Sequence, residues 1–224
     1  MKKSPPIARM PLKTEELERL TADDFVGLKL TDDEKALMRE INKARQHERA
    51  ERSARLRIEE TPILVDLRKV GWNVESVWDL VNISAKYAEA IPVLLKHLLL
   101  PYSDRTREGI ARSLAVPEPE VKKAWPMLVE EYRNAPMGQG ILAPGDTKEY
   151  RLGAKDGLAV ALSVIASDAV IEDLIDLAKD RTHGESRVLL LSGLKKSKSA
   201  IAKQALDELA ADPDLKKEIA SWRR

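Results

Sequence analysis

The chain has 224 residues, no cysteine, and 38 Lys plus Arg against 37 Asp plus Glu, for a net charge of +1. The missing cysteines exclude disulfides, thiolate nucleophiles and Cys-held zinc or iron–sulfur centres. The cancelling charge excludes a whole-molecule field that would draw the chain to nucleic acid or to a membrane, so any such attraction has to be local.

In chain order, residues 1–30 hold Pro5, Pro6 and Pro11 and one short amphipathic piece, TEELERLTADDFVGL, and read as an N-terminal arm. MKKSPPIARMPL has a basic pair with no apolar run after it, and the longest apolar run, AIPVLLKHLLL, is interrupted by Lys96 and His97. We expect no membrane span and a soluble, cytoplasmic protein. Residues 31–61 form one long charged helix, opened by Thr31 and Glu34 at capping-box spacing and closed before Thr61-Pro62. Its acids and bases are equal in number, so it is expected to be solvated and held by i,i+4 ion pairs.

From residue 62 to the end, apolar residues recur at helical spacing and no segment alternates as a half-buried strand does. The class is all-α. Helices are expected over about 62–70, 75–85 with Asn73 as N-cap, 88–100, 104–115, 119–133, 155–166, 169–180, 185–194, 199–211 and 213–221, the last capped by Asp212-Pro213. Between them NAPMGQGILAPGDTKEYRLG, residues 134–153, is a long irregular loop rich in Gly and Pro, and loops of this length tend to carry function or disorder.

Shifted by 80 residues, segment 75–114 falls on 155–194 without a gap. Leu80 meets Val160, Val81 meets Ala161, Ala85 meets Ile165, Ile91 meets Ile171, Leu94 meets Leu174, Leu95 meets Ile175, Ile110 meets Leu190 and Leu114 meets Leu194. Arg107 and Arg187 are the shared polar landmark, so the stretch AKDRTHGESRVLLLSGL is a joint between two helices. His183 is then a turn residue, with Gly184 opening the next helix and Glu185 set against its N-terminal dipole. Self-similar helix pairs point to an α-solenoid, and the shift equals two units of about 40 residues, the HEAT length.

From about residue 75 to 222 the chain resembles bacterial HEAT-repeat proteins, above all in GLAVALSVIASDAVIEDLIDLAKDRTHGESRVLLLSGL and the shorter ELAADPDL. The resemblance implies an Asp near the turn and an Arg at the start of the second helix that brace neighbouring repeats, roles matched by Asp180 with Arg187 and Asp104 with Arg107. It implies a HEAT-like α-solenoid of four or five units over 62–224, preceded by the arm and the charged helix. On activity it is nearly silent, because HEAT arrays serve as scaffolds, inhibitors, nucleic-acid binders and, in one lineage, DNA repair enzymes. The 134–153 loop and the first 70 residues depart from a regular array.

No residue pattern calls for a cofactor or a metal. GQGILA, 138–143, fits a loose dinucleotide fingerprint, but it follows a helix and runs into Pro144-Gly145 where a strand and then a helix are needed. His47, His97 and His183 are scattered one to a region. Asp32, Asp33 and Glu34 suit a helix N-terminus, while Asp79, Asp104 and Asp168 have no partner that spacing places beside them. The leading expectation is a non-catalytic protein that binds another protein as adaptor or inhibitor, a toxin-neutralising inhibitor being one version. Trp72, Tyr102, Tyr132 and Tyr150, near turns, helix ends and the long loop, are its candidate contacts. The alternative is DNA or RNA binding, or repair, on a basic face of Arg105, Arg112, Lys122, Lys123, Lys195, Lys196 and Lys198. Trp78, Trp125 and Trp222 fall at apolar helix positions and read as packing residues.

Overall fold

The computed structural model describes residues 10–21, 23–25 and 27–222, with the side chains of Phe25 and Asn82 excepted. Pro5, Pro6 and the rest of residues 1–9, part of the expected arm, lie outside the described residues. Two compact units divide between Ser53 and Ala54. The described residues are all-α apart from one two-residue ladder.

In the first unit, α1 spans Thr14–Arg19 and α2 begins at Asp32. The expected capping box is present: the Thr31 N–H donates to Glu34 Oε2 at 2.8 Å and the Glu34 N–H to Thr31 Oγ1 at 3.2 Å. The other oxygen of Glu34 accepts the Leu12 N–H at 2.7 Å, which explains why this carboxylate is buried.

Helix α2 runs on to Lys69, through Pro62, instead of closing before Thr61. Pro62 has no N–H for the carbonyl four residues back, a local cost of about 3 kcal/mol inside a helix. Ile63, next to it, and Leu67, just over a turn on, are fully buried, and each such side chain returns about 1.5–3 kcal/mol on leaving water, so packing overrides the local signal.

The second unit continues with α3 (Ile91–Leu98), α4 (Asp104–Ser113), α5 (Pro119–Lys123), α6 (Trp125–Asn134), α7 (Ala154–Ile165), α8 (Ile171–Lys179), α9 (Arg187–Lys196), α10 (Ala200–Leu209) and α11 (Lys216–Ser221). The helix expected over 119–133 is broken at Ala124 because Pro126 cannot donate into the preceding turn. Over 75–85 only a 3-10 turn forms, Val77–Asn82, and its N-cap is Ser76 rather than Asn73. Asp79, a lone acid in the sequence, accepts the backbone N–H groups of Glu75 and Ser76 and so closes that turn.

The 80-residue register reappears in the elements. A 3-10 turn at 88–90 leads into α3 and then α4, and a 3-10 turn at 168–170 leads into α8 and then α9. Turn 77–82 packs on α4, α4 on α7 and α7 on α9, while α3 packs on α4, α6 on α7 and α8 on α9. Leu80, Ile91, Leu94, Ile110, Leu114, Leu158, Leu162, Leu174, Leu190 and Leu194 form one continuous core. Helices α4 and α7, and α7 and α9, nearly touch. A Cβ at Gly157 would lie 3.0 Å from the Glu108 carbonyl, and one at Gly193 would lie 3.1 Å from the backbone of Ser163.

Helix N-termini in this unit are capped from a distance. Glu59 accepts the Ser103 N–H at 2.8 Å and the Ser103 and Thr106 hydroxyls, which caps α4. Glu60 accepts the Val77 N–H, and Asp104 accepts the N–H groups of Gly153 and Ala154 at 2.7 and 3.1 Å, which caps α7. In each case a carboxylate satisfies donors that the helix cannot satisfy itself.

Candidate functional site

The long 134–153 segment is mostly irregular, as expected, but a short ladder and contacts to the helices pin it as a strap. Gln139–Gly140 (β1) pairs antiparallel with Tyr150–Arg151 (β2), and the Leu152 N–H donates to the Gly138 carbonyl. Ala143 is fully buried beside a tight turn in which its N–H bonds Asp146, and Arg55 of α2 holds that carboxylate at 2.5 Å. The Arg105 N–H donates to the Leu142 carbonyl, so the strap is also fixed to α4. The GQGILA stretch therefore supplies a strand and a turn, and no helix follows until Ala154.

Beneath the strap lies a cleft of about 360 Å³, lined by Pro136, Met137, Leu152, Lys155 and Asp156 together with the 184–186 turn. Glu108, next to its wall, is gripped by Arg105 at 2.7 Å and Arg112 at 2.8 Å. Arg151 spans the mouth, 3.2 Å from Asp156 and 3.3 Å from Glu185. Burial pushes the Asp156 carboxyl up, against the pull of Arg151 and Arg112. The Lys155 ammonium is buried, donates to the carbonyls of Arg133 and Ala135, and lies 4.9 Å above the Tyr132 ring; burial holds its pKa below the usual lysine value.

His183 and Tyr132 pack ring to ring at 4.7 Å behind this cleft. The Tyr132 hydroxyl shares a 2.8 Å hydrogen bond with Ser186, whose hydroxyl also bonds the His183 carbonyl, and burial pushes the Tyr132 phenol up to about 12. His183 Nε2 is buried with no hydrogen-bond partner, 3.6 Å from Asp180. Burial, followed by the Lys155 ammonium, lowers the imidazole pKa. Gly184 does not open an α-helix: it sits inside a 3-10 turn, Arg181–Ser186, at φ 56 and ψ −140, a conformation only glycine takes without strain, and α9 starts at Arg187. Asp180 caps that turn through the Thr182 N–H.

The residues expected at turns and contacts are distributed as follows. Arg187 is fully buried and bridges the Ala178 carbonyl, Asp212 and Asp214, whereas Arg107 pairs with Glu131. Asp104 caps α7 and does not pair with Arg107. Tyr132, expected at a partner surface, is fully buried, because α6 turns that face onto α7. Trp72 lies edge-on to Tyr87 and is half-buried, and Tyr150 is the half-buried residue that starts β2. Arg105 and Arg112 come together on Glu108, with the Arg105 guanidinium 3.7 Å over the Trp78 ring. Lys122 and Lys123 are exposed on α5; Lys196, which ends α9, and Lys198 beyond it are exposed, and Lys195 lies over Trp222.

A second constellation has no signal in the sequence. Asp66 Oδ2 faces His97 Nε2 at 3.1 Å, and His97 Nδ1 faces the Tyr102 hydroxyl at 2.8 Å. An ionised carboxylate only accepts, so Nε2 carries the proton and Tyr102 donates to Nδ1. Hydrogen bonds from Lys69, Lys96 and His97 hold Asp66 far below the usual carboxylate range, while burial and the charges of Glu59 and Asp66 push the Tyr102 phenol up. The relay ties the end of α2 to the α3–α4 turn and leaves the phenol a poor nucleophile. Spacing could not find it, because Asp66 and His97 are 31 residues apart.

Among the described residues, no three His, Asp or Glu side chains are grouped closely enough to hold a metal ion, and no helix is long and apolar enough to cross a membrane. Comparison with protein-family models, with curated proteins and with solved structures finds no match to the chain.

Proposed function

We propose that this chain is a HEAT-like helical-repeat protein of the cytoplasm that catalyses no reaction and binds another protein, as an adaptor or inhibitor, at the cleft under the strap. The observation that carries the reading is the character of that cleft. Its two cations, Arg151 and Lys155, are matched by two acids, Asp156 and Glu185, around apolar Pro136, Met137 and Leu152, and Met137 is 46% exposed. An apolar centre whose cations are already engaged, Arg151 by both acids and Lys155 by two backbone carbonyls, suits a protein surface, where rim charges orient and a buried anchor supplies affinity. A phosphate backbone needs free cations instead.

The recurrence of helix pairs at 80 residues and the brace from Arg187 to the turn beyond α10 support the repeat architecture. The reading without a catalytic role draws on the engagement of Lys155 with two carbonyls and of Tyr132 with Ser186, although His183 Nε2 behind them makes no hydrogen bond. Against the nucleic-acid alternative, Arg105 and Arg112 both direct their charge at one carboxylate.

The test is retention of partners by the full chain and by Met137→Asp from a lysate of the source cells, with and without nuclease. One protein held near stoichiometry, unaffected by nuclease and lost with Met137→Asp, is the expected result. Nucleic acid that disappears with nuclease, or a protein retained equally by the variant, would overturn the reading.

A further inference from the structure

Helices α8 and α10 pack side by side and leave a groove of about 320 Å³ on their outer faces, built by residues separate from those of the strap cleft. Its floor is apolar: Ile175 and Ala205 are buried in it, and Ile201 stands at its edge with 40% of its surface exposed. Ile201 thus extends the buried Ile175–Ala205 floor into an exposed apolar edge, so the groove offers contiguous apolar surface between its charged walls.

The walls carry the opposite character. Helices α8 and α10 together hold five carboxylates against two lysines, on a chain whose charges otherwise cancel. Glu208 lies 2.6 Å from Lys179 and accepts from Gln204 at 3.0 Å, which holds its pKa below the usual glutamate value and fixes one lysine in place. Glu172 and Asp176 line the groove, are exposed and, among the described residues, make no side-chain hydrogen bond or ion pair. Four residues apart on one helix, with Cβ atoms about 5–6 Å from each other at that spacing, they present two negative charges on the same face along the groove.

We propose that this groove docks a basic amphipathic helix of another protein. One apolar side chain of the incoming helix packs against Ile201 over the Ile175–Ala205 floor, and Lys or Arg residues at i,i+4 spacing meet Glu172 and Asp176. The charge pattern selects this occupant: an acidic peptide or a phosphate backbone is repelled by the same walls, and a wholly apolar segment leaves two carboxylates desolvated without partners. Such helix-in-groove recognition takes its affinity from the apolar face and its orientation from the charges.

The experiment uses fluorescence anisotropy of three synthetic helical peptides on the full chain: a Leu/Lys amphipathic helix, its charge-reversed Leu/Glu counterpart, and a Leu/Lys scramble of equal composition with no apolar face. The amphipathic basic peptide is expected to bind, with both others failing. Ile201→Asp and the double variant Glu172→Lys with Asp176→Lys should each weaken it about tenfold or more, the loss of one anchor. All three positions are exposed, so the variants should keep the wild-type melting temperature, and the pair tests the apolar and the charged half of the groove separately. Met137→Asp should leave the peptide affinity unchanged, so this proposal and the cleft reading fail independently. Equal binding of the scrambled peptide, undiminished binding by both groove variants, or no binding of the basic helix would sink the proposal. So would self-association of the wild-type chain in sedimentation that Ile201→Asp dissolves, because the occupant would then be a second copy.

Discussion

Arg187 and Asp212 meet 3.0 Å apart at the joint between α9 and the turn that follows α10, with the arginine fully buried and its other terminal nitrogen 3.0 Å from Asp214. The same guanidinium bonds the carbonyls of Ala178 and Gly184, so one side chain ties the end of α8, the 3-10 turn and the 212–214 turn. Its donors are matched by acceptors, which is the condition for burying a charge at all. Truncation to Met keeps the apolar volume but takes the buried cation from Asp212, which retains Arg181 and the Asp214 N–H, and leaves two carbonyls without their donor. We expect a loss of about 3–5 kcal/mol, or roughly 10 °C in melting temperature, measured by denaturant and thermal unfolding. A variant within about 1 kcal/mol of the wild type would show that the network contributes little net stability.

The same pair sets a pH dependence. Hydrogen bonds from Arg187, then from the Asp214 N–H, hold the Asp212 carboxyl below its ordinary value of 3.8. A carboxyl depressed in the folded state contributes stability that is fully present above the unfolded value and is lost as pH falls through the folded one. The wild type should therefore lose stability below about pH 4 more steeply than Asp212→Asn, as followed by circular dichroism.

His183 acts at milder acidity and with the sign of a base. Its folded pKa lies below 6.5 because the ring is buried against Tyr132 and faces the cations of Lys155, Arg133 and Arg187, with Asp180 alone opposing them. As pH falls through about 6.5 the unfolded chain gains a proton that the folded chain resists, so stability declines from about pH 7 toward pH 5. Comparing melting temperatures at these two pH values, His183→Phe should flatten the decline, and an unchanged slope would place its origin elsewhere.

Asp104 is the cap of α7, although it belongs to α4. Asp104→Ala should cost about 1–2 kcal/mol, with Asp104→Asn costing less because an acceptor oxygen remains. Amide hydrogen exchange offers the sharper readout: Gly153 and Ala154 should lose protection in the alanine variant while the middle of α7 keeps it.

Gly193 permits α9 to approach α7. A Cβ there would lie 2.8 Å from Leu174 Cδ2 and 3.1 Å from the Ser163 backbone, and the backbone cannot yield as a flexible chain end would. Gly193→Val should cost about 1–3 kcal/mol by overpacking. The position 80 residues earlier is Ser113, whose hydroxyl bonds the carbonyls of Gly109 and Val77, so Ser113→Ala there tests hydrogen bonding rather than volume.

Much of the fold was legible in residue order. Helical periodicity and the Thr31–Glu34 box are short-range patterns that the elements reproduce, and the repeat at 80 residues returns over 88–113 and 168–196 but not over 75–85. The candidate site was legible only in outline: segment 134–153 stood out by its glycines and prolines, but not its anchoring by Arg55, and Lys155 and Asp156 gave no sign of facing a cleft. Tyr132 was misplaced because an aromatic near a helix end has the same spacing whether it faces solvent or core.

The residue pattern alone thus settled that the chain is helical and where most of its helices lie, because helical periodicity is set by neighbours three or four positions apart. Tertiary structure alone settled that α2 passes through Pro62, that Glu59 and Asp104 cap helices 44 and 49 residues away, that Asp66 orients His97, and that an acidic groove opens between α8 and α10. Those outcomes turn on where packed helices land. A backbone N–H or a buried charge takes whichever partner the packing brings within hydrogen-bond reach, whatever its distance along the chain.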